Sequence, residues 1–89
     1  MSQRANDGMD DRDIEAFRWG IDVMTAWQSN DPTLTQSRIL SYATEAPDGA
    51  LMLIGGLVGV AGKAIKELAE VTGKSTSEVM QILGGWVNE

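Results

Sequence analysis

The run Gly55-Gly56-Leu57-Val58-Gly59-Val60-Ala61-Gly62-Lys63 is the first part of this 89-residue chain that suggests chemistry. Glycine-rich loops that end in lysine cradle phosphates with their backbone N–H groups. The spacing rejects that use: the motif needs a glycine five positions before Gly62, where Leu57 stands, and a Ser or Thr after Lys63, where Ala64 stands. No strand pattern precedes the run, so a dinucleotide fingerprint fails as well. The acidic cluster Asp7, Asp10, Asp11, Asp13 and Glu15 invites a calcium reading. No register of it supplies both the sixth-position glycine and the closing glutamate of a calcium loop. The chain has no His and no Cys, which removes the usual zinc ligands, disulfides and the common nucleophile–base pairs. The expectation is no catalytic residue, no metal and no cofactor, and hence a protein that is not an enzyme.

The strongest motif is Leu68-Ala69-Glu70-Val71-Thr72-Gly73-Lys74-Ser75-Thr76-Ser77-Glu78-Val79-Met80-Gln81-Ile82. An alanine, a glycine four positions on, a valine six further and an isoleucine three beyond have the spacing of a helix-turn-helix. Such a unit would send Ser75 to Gln81 into a major groove. The charges oppose this: from Ser75 onward there is no Arg or Lys, and Glu78 and Glu89 would face phosphate. The Thr-Gly-x-Ser-x-Ser-Glu wording also occurs in ribbon-helix-helix repressors, but those need a strand where this chain has a glycine-rich helical pattern. A capped helical hairpin is therefore the expectation, with a helix-turn-helix DNA-binding regulator using residues 65–83 as the alternative.

An acidic, Trp-containing first segment, the break Ala46-Pro47-Asp48, a long apolar segment and the closing Leu-Ala-x-x-Thr-Gly-x-Ser-x-x-Glu-Val follow in that order. Over residues 11–83 this resembles small all-helical proteins of actinobacteria and their bacteriophages. The resemblance implies a helical fold and an origin of that kind, with a phage-encoded modulator of a host protein as one setting. Gly84-Gly85 departs from the Leu-Ala wording such tails usually carry.

Four helices are needed to position these motifs. Residues 1–10 show no periodicity and read as a disordered tail, leaving 11–89 as one helical domain. From Asp11 to Gln28, Ile14, Phe17, Ile21 and Met24 recur at three-four spacing, widened by Gly20, Val23 and Trp27. The opposite side carries Asp11, Glu15, Arg18 and Asp22, with an expected ion pair between Glu15 and Arg18. Asp31-Pro32 reads as a cap and first turn, opening a second helix that runs to about Glu45, with Ile39, Leu40 and Ala43 on one face. A third helix, about Ala50 to Thr72, has Leu51, Ile54, Val58, Ala61, Ile65 and Leu68 as its expected core side. Gly73 stops it. Ser75 and Glu78 form a capping box for a fourth helix that turns Val79, Ile82, Leu83 and Trp86 inward. The fold class is all-α: a compact bundle of about four helices.

A chain of this length buries only about 60% of its unfolded surface, so self-association would help it. Its net charge is −6, with seven acids and three bases in residues 1–31. That balance repels nucleic-acid phosphate and suits a protein partner with a basic surface. The start has no apolar run, and the charge-free stretch Gly49–Gly62 is shorter than the roughly 20 residues that span a bilayer. A cytoplasmic location without membrane contact is expected.

Phe17, Trp27 and Trp86 read as core residues, while Trp19 sits at the edge of its helix stripe. Glu15, Arg18 and Trp19 form one expected protein-binding patch. The other is Met52, Gly55, Gly56 and Gly59. These occupy the sector of the third helix that farther along carries Lys63, Lys66, Glu67 and Glu70. Interior glycines cost about 1 kcal/mol each against alanine, so they imply a closely approaching helix. The expected neighbour is either the fourth helix, through Gly84 and Gly85, or the same helix of a second copy in a homodimer. The function expected is a non-enzymatic, acidic helical protein that acts by protein–protein binding.

Overall fold

The computed structural model describes residues 10–87, which form four helices and no strand: α1 (Asp11–Gln28), α2 (Pro32–Ala43), α3 (Gly49–Thr72) and α4 (Thr76–Val87). The all-α class is as the sequence indicates. The expected tail lies outside the described residues, apart from Asp10, whose carboxylate caps α1 by accepting from the Asp13 N–H at 2.9 Å. The other helix ends follow the local chemistry. Asp31 accepts from the Leu34 N–H at 3.1 Å with Pro32 in the first turn of α2. Gly73 closes α3 at φ 71°, in the left-handed region that favours glycine. In the capping box, the Ser75 N–H donates to Glu78 Oε1 at 2.8 Å and the Glu78 N–H donates to Ser75 Oγ at 3.1 Å.

The core is small and sits where α1, α2 and the first half of α3 meet. Trp19, Val23 and Leu53 form its centre, with Tyr42, Met52 and Leu57 packed against them. On α1 the buried residues are Ala16, Trp19, Gly20, Val23 and Ala26. This corrects the expected face: Ile21, Met24 and Trp27 are exposed, and Ile14 and Phe17 are only half-buried. The reason is the closeness of the α1–α3 crossing. A Cβ on Gly56 would overlap the Ala16 carbonyl, and one on Gly20 would lie 2.8 Å from the Gly56 oxygen. Backbones that close require Ala16 and Gly20 at the crossing itself, which fixes the buried face that Trp19, Val23 and Ala26 share and turns Ile21, Met24 and Trp27 outward.

The glycine inference for α3 holds in kind, since a helix does approach through Gly56, but that helix is α1. Nothing approaches Gly84 or Gly85 within 4 Å of an added Cβ.

α2 is held to α1 by polar contacts more than by burial, since none of its residues is buried. Asp22, expected on a solvated face, accepts from Tyr42 Oη at 2.6 Å and from Arg38 Nη1 at 2.5 Å. The Tyr42 ring stacks on Trp19 with centroids 4.7 Å apart. Arg12 of α1 pairs with Asp48 at the head of α3.

The second half of α3 and all of α4 leave this core as an arm. Among the described residues α4 packs on α3 alone, where Ala69 and Val79 are buried. A compact chain of this size has a radius of gyration of about 12 Å; this one measures 15.1 Å. The four helices form an all-α bundle, from whose core the second half of α3 and α4 extend.

Candidate protein-binding surface

Leu51, Ile54, Val58, Ala61, Ile65 and Leu68 alternate in threes and fours, the heptad spacing of a helix seam. They were expected to face this chain's own core. They do not: Leu51 is 72% exposed, Ile54 56%, Val58 66% and Leu68 47%. The core takes the opposite side of α3, through Gly49, Leu53 and Gly56. The first half of α3 is therefore apolar all round, with one side used by α1 and α2 and the other bare. Positions flanking the seam are Gly55, Leu57, Gly62, Ala64, Ala69 and Val71, without a single charge. Every charge of α3 lies away from it: Lys63, Lys66, Glu67 and Glu70 share the far sector, and Lys63 pairs there with Glu67 at 3.1 Å. Added Cβ atoms at Gly55 and Gly62 would meet nothing within 4 Å, so the first half of the seam is open, while farther along Ile65 is half-buried and Ala69 is buried where α4 packs.

α4 extends the same character. Of the residues expected to turn inward only Val79 is buried; Ile82, Leu83 and Trp86 are exposed, the last by 73%. Trp27 at 64% is likewise not a core residue. The sequence pattern identified apolar faces on α3 and α4 but assigned them to the core, whereas most of their large residues are exposed. Among the described residues the core centre is Trp19, Val23 and Leu53, and the four helices leave these faces of α3 and α4 largely uncovered.

The first expected patch dissolves on inspection. Trp19 is a core residue, 7% exposed, so it cannot serve as an exposed anchor. Glu15 and Arg18 form the expected i,i+3 pair at 3.7 Å on the surface. Glu15 also accepts from Trp19 Nε1 at 3.2 Å, so its visible task is to satisfy the indole.

The second patch divides. Gly56 is buried under α1, while Met52, Gly55 and Gly59 line a groove of about 420 Å³ between α1 and α3, with Arg12 and Phe17 on the other wall. Phe17 partly fills that groove, its ring 3.2 Å from where a Gly59 Cβ would stand. Sequence reasoning missed the residues that make the larger surface. The signal for them was present: the first half of α3 is apolar on two opposite sides in the sequence.

Among the described residues no buried side chain is polar or charged, and no three or more Asp or Glu gather to hold a metal. The shifted titrations belong to structural contacts. Hydrogen bonding from Tyr42, followed by Arg38, holds the Asp22 carboxyl below the ordinary aspartate range against the opposing effect of burial. The same bond raises Tyr42. Donation from the Ser75 N–H lowers Glu78.

The charge-free stretch Gly49–Gly62 understates how apolar α3 is. The 24-residue helix contains an 18-residue window of mean hydropathy 1.5, long and apolar enough to cross a membrane by length and composition, with 17% of that window buried. Comparison with family models, curated proteins and solved structures finds no match for this chain.

Proposed function

We propose that this protein is a non-enzymatic binding module that acts by docking another protein on the apolar face of α3 and α4. The observation that carries the reading is the exposed, charge-free heptad seam from Leu51 to Leu68. Exposed apolar patches beyond a few hundred Å² on a small protein mark interaction sites, and a seam at this spacing fits a helical partner. The acidic balance suits a partner whose rim is basic or neutral. The helix-turn-helix alternative gains no support: the hairpin at Gly73 is well formed, but its second helix carries no cation and presents Glu78.

A photo-crosslinking residue placed at Val58, and separately at Glu67 as a control on the charged sector, tests the reading in cells that produce the protein. The expected result is a protease-sensitive protein adduct of discrete mass from position 58 and none from 67. Adducts only to lipid would make α3 a membrane element. Adducts only to nucleic acid would restore the DNA-binding alternative. Either result overturns the proposal.

A further inference from the structure

We infer that α2 is a strap over the core that opens on its own, clasped shut by Asp22 of α1, while α1 and α3 stay crossed. The inference is independent of the protein-binding reading, since α2 meets α3 at Gly49, on the side opposite the seam. α2 is 12 residues long and none of them is buried, whereas the buried members of the core cluster all belong to α1 or α3. A helix of that length is marginal by itself in water. Thr33, Thr35, Ser37 and Ser41 lower its helix propensity further. Segments with so little buried apolar surface are the ones that open locally, below the energy of global unfolding.

What holds the strap down is concentrated on one residue. Tyr42 lays its ring on Trp19 and donates from Oη to one carboxylate oxygen of Asp22 at 2.6 Å. Arg38 donates to the other oxygen at 2.5 Å. The Asp22 and Arg38 side chains are 34% and 41% exposed, so water competes for these bonds. The two ends of α2 differ. At its entry, Asn30 stands at φ 64°, a left-handed conformation that disfavours a residue with a Cβ, so opening there releases strain. At its exit, an added Cβ on Gly49 would overlap the Tyr42 carbonyl oxygen and lie 2.8 Å from that of Ala43. The strap is thus pinned at its C-terminal end and strained at its N-terminal end. Opening it bares the face of Trp19 that Tyr42 covers.

Native-state amide hydrogen exchange of the full chain in rising urea tests this, with Val23 and Ala26 reporting on α1. The amides of Arg38 to Ala43 should be at least about 10-fold less protected than those of Val23 and Ala26, and nearly insensitive to urea, because opening a strap exposes little surface. Tyr42→Phe keeps the stacked ring and deletes one bond of the clasp. It should speed α2 exchange by about 5-fold, the loss typical of one hydrogen bond, with the helical circular dichroism unchanged. Asp22→Asn weakens both bonds and should speed it more. α2 amides that share the protection and the urea slope of Val23 and Ala26 would show one cooperative unit and overturn the inference. So would α2 exchange indifferent to both substitutions, which would leave no clasp.

Discussion

Gly56→Ala places one methyl group at the closest approach of two helices, and its cost follows from the geometry. The new Cβ would stand 2.5 Å from the Ala16 carbonyl carbon and 3.3 Å from the Phe17 nitrogen. Ordinary contact begins near 3.4 Å. The obstacle is backbone, so no side-chain rotation can relieve it, and α1 must move away by about 1 Å. That motion loosens Trp19, Val23 and Leu53, the whole centre of the core. Overpacking of this kind costs about 1–3 kcal/mol, while alanine returns up to about 1 kcal/mol of helix propensity. The net expectation is a loss of about 1–2 kcal/mol, or roughly 4–16 °C in Tm for a domain of this size. Gly55→Ala, one residue away and facing open space, collects the propensity gain without the clash and should raise Tm. Thermal unfolding followed by circular dichroism, at a concentration where sedimentation shows monomer, compares the two. A Gly56→Ala protein as stable as Gly55→Ala would refute the close crossing and the packing argument built on it.

Other perturbations probe the remaining contacts. Trp19→Ala should destabilise by about 3–5 kcal/mol through core truncation, with Trp19→Phe milder; an unchanged melting curve would return Trp19 to the surface. The lowered Asp22 value means its bonds to Tyr42 and Arg38 stabilise the fold above the ordinary aspartate range and are lost as pH falls through the folded value. With the partly exposed pair discounted for solvent screening, Asp22→Asn should cost about 1 kcal/mol near neutrality. The gap in Tm between the two proteins should close as pH drops below 3.8. A gap that does not narrow at all as pH falls below 3.8 would contradict that assignment. Ser75→Ala removes one half of the capping box and should cost about 1 kcal/mol, read as faster amide exchange from Val79 onward with α1 unchanged.

Helix boundaries were legible in the sequence because capping is a local matter. Asp31-Pro32, Gly73 and the Ser75–Glu78 pair act within one turn, and each appears where the residue types require it. Which face each helix buries was less legible. On α1 the rule that bulky apolar residues turn inward lost to the small residues Ala16 and Gly20, because a crossing that close selects for lack of volume. On α3 the seam was read as the core-facing side, whereas the core takes the opposite side through Gly49, Leu53 and Gly56, since periodicity marks an apolar face and not what lies against it. Trp19 was misplaced for the same reason: its burial comes from Tyr42 and Leu53, twenty and more residues away. Asp22 looked like one more solvated acid until α2 brought Arg38 and Tyr42 against it.

Photo-crosslinking from Val58 in cells that produce the protein, with Glu67 as the control position, tests the central claim most directly, because it reports what lies against the exposed side of α3. A protein adduct of discrete mass from position 58 and none from position 67 is the predicted result. Adducts confined to lipid or nucleic acid, or equal protein adducts from both positions, would contradict it.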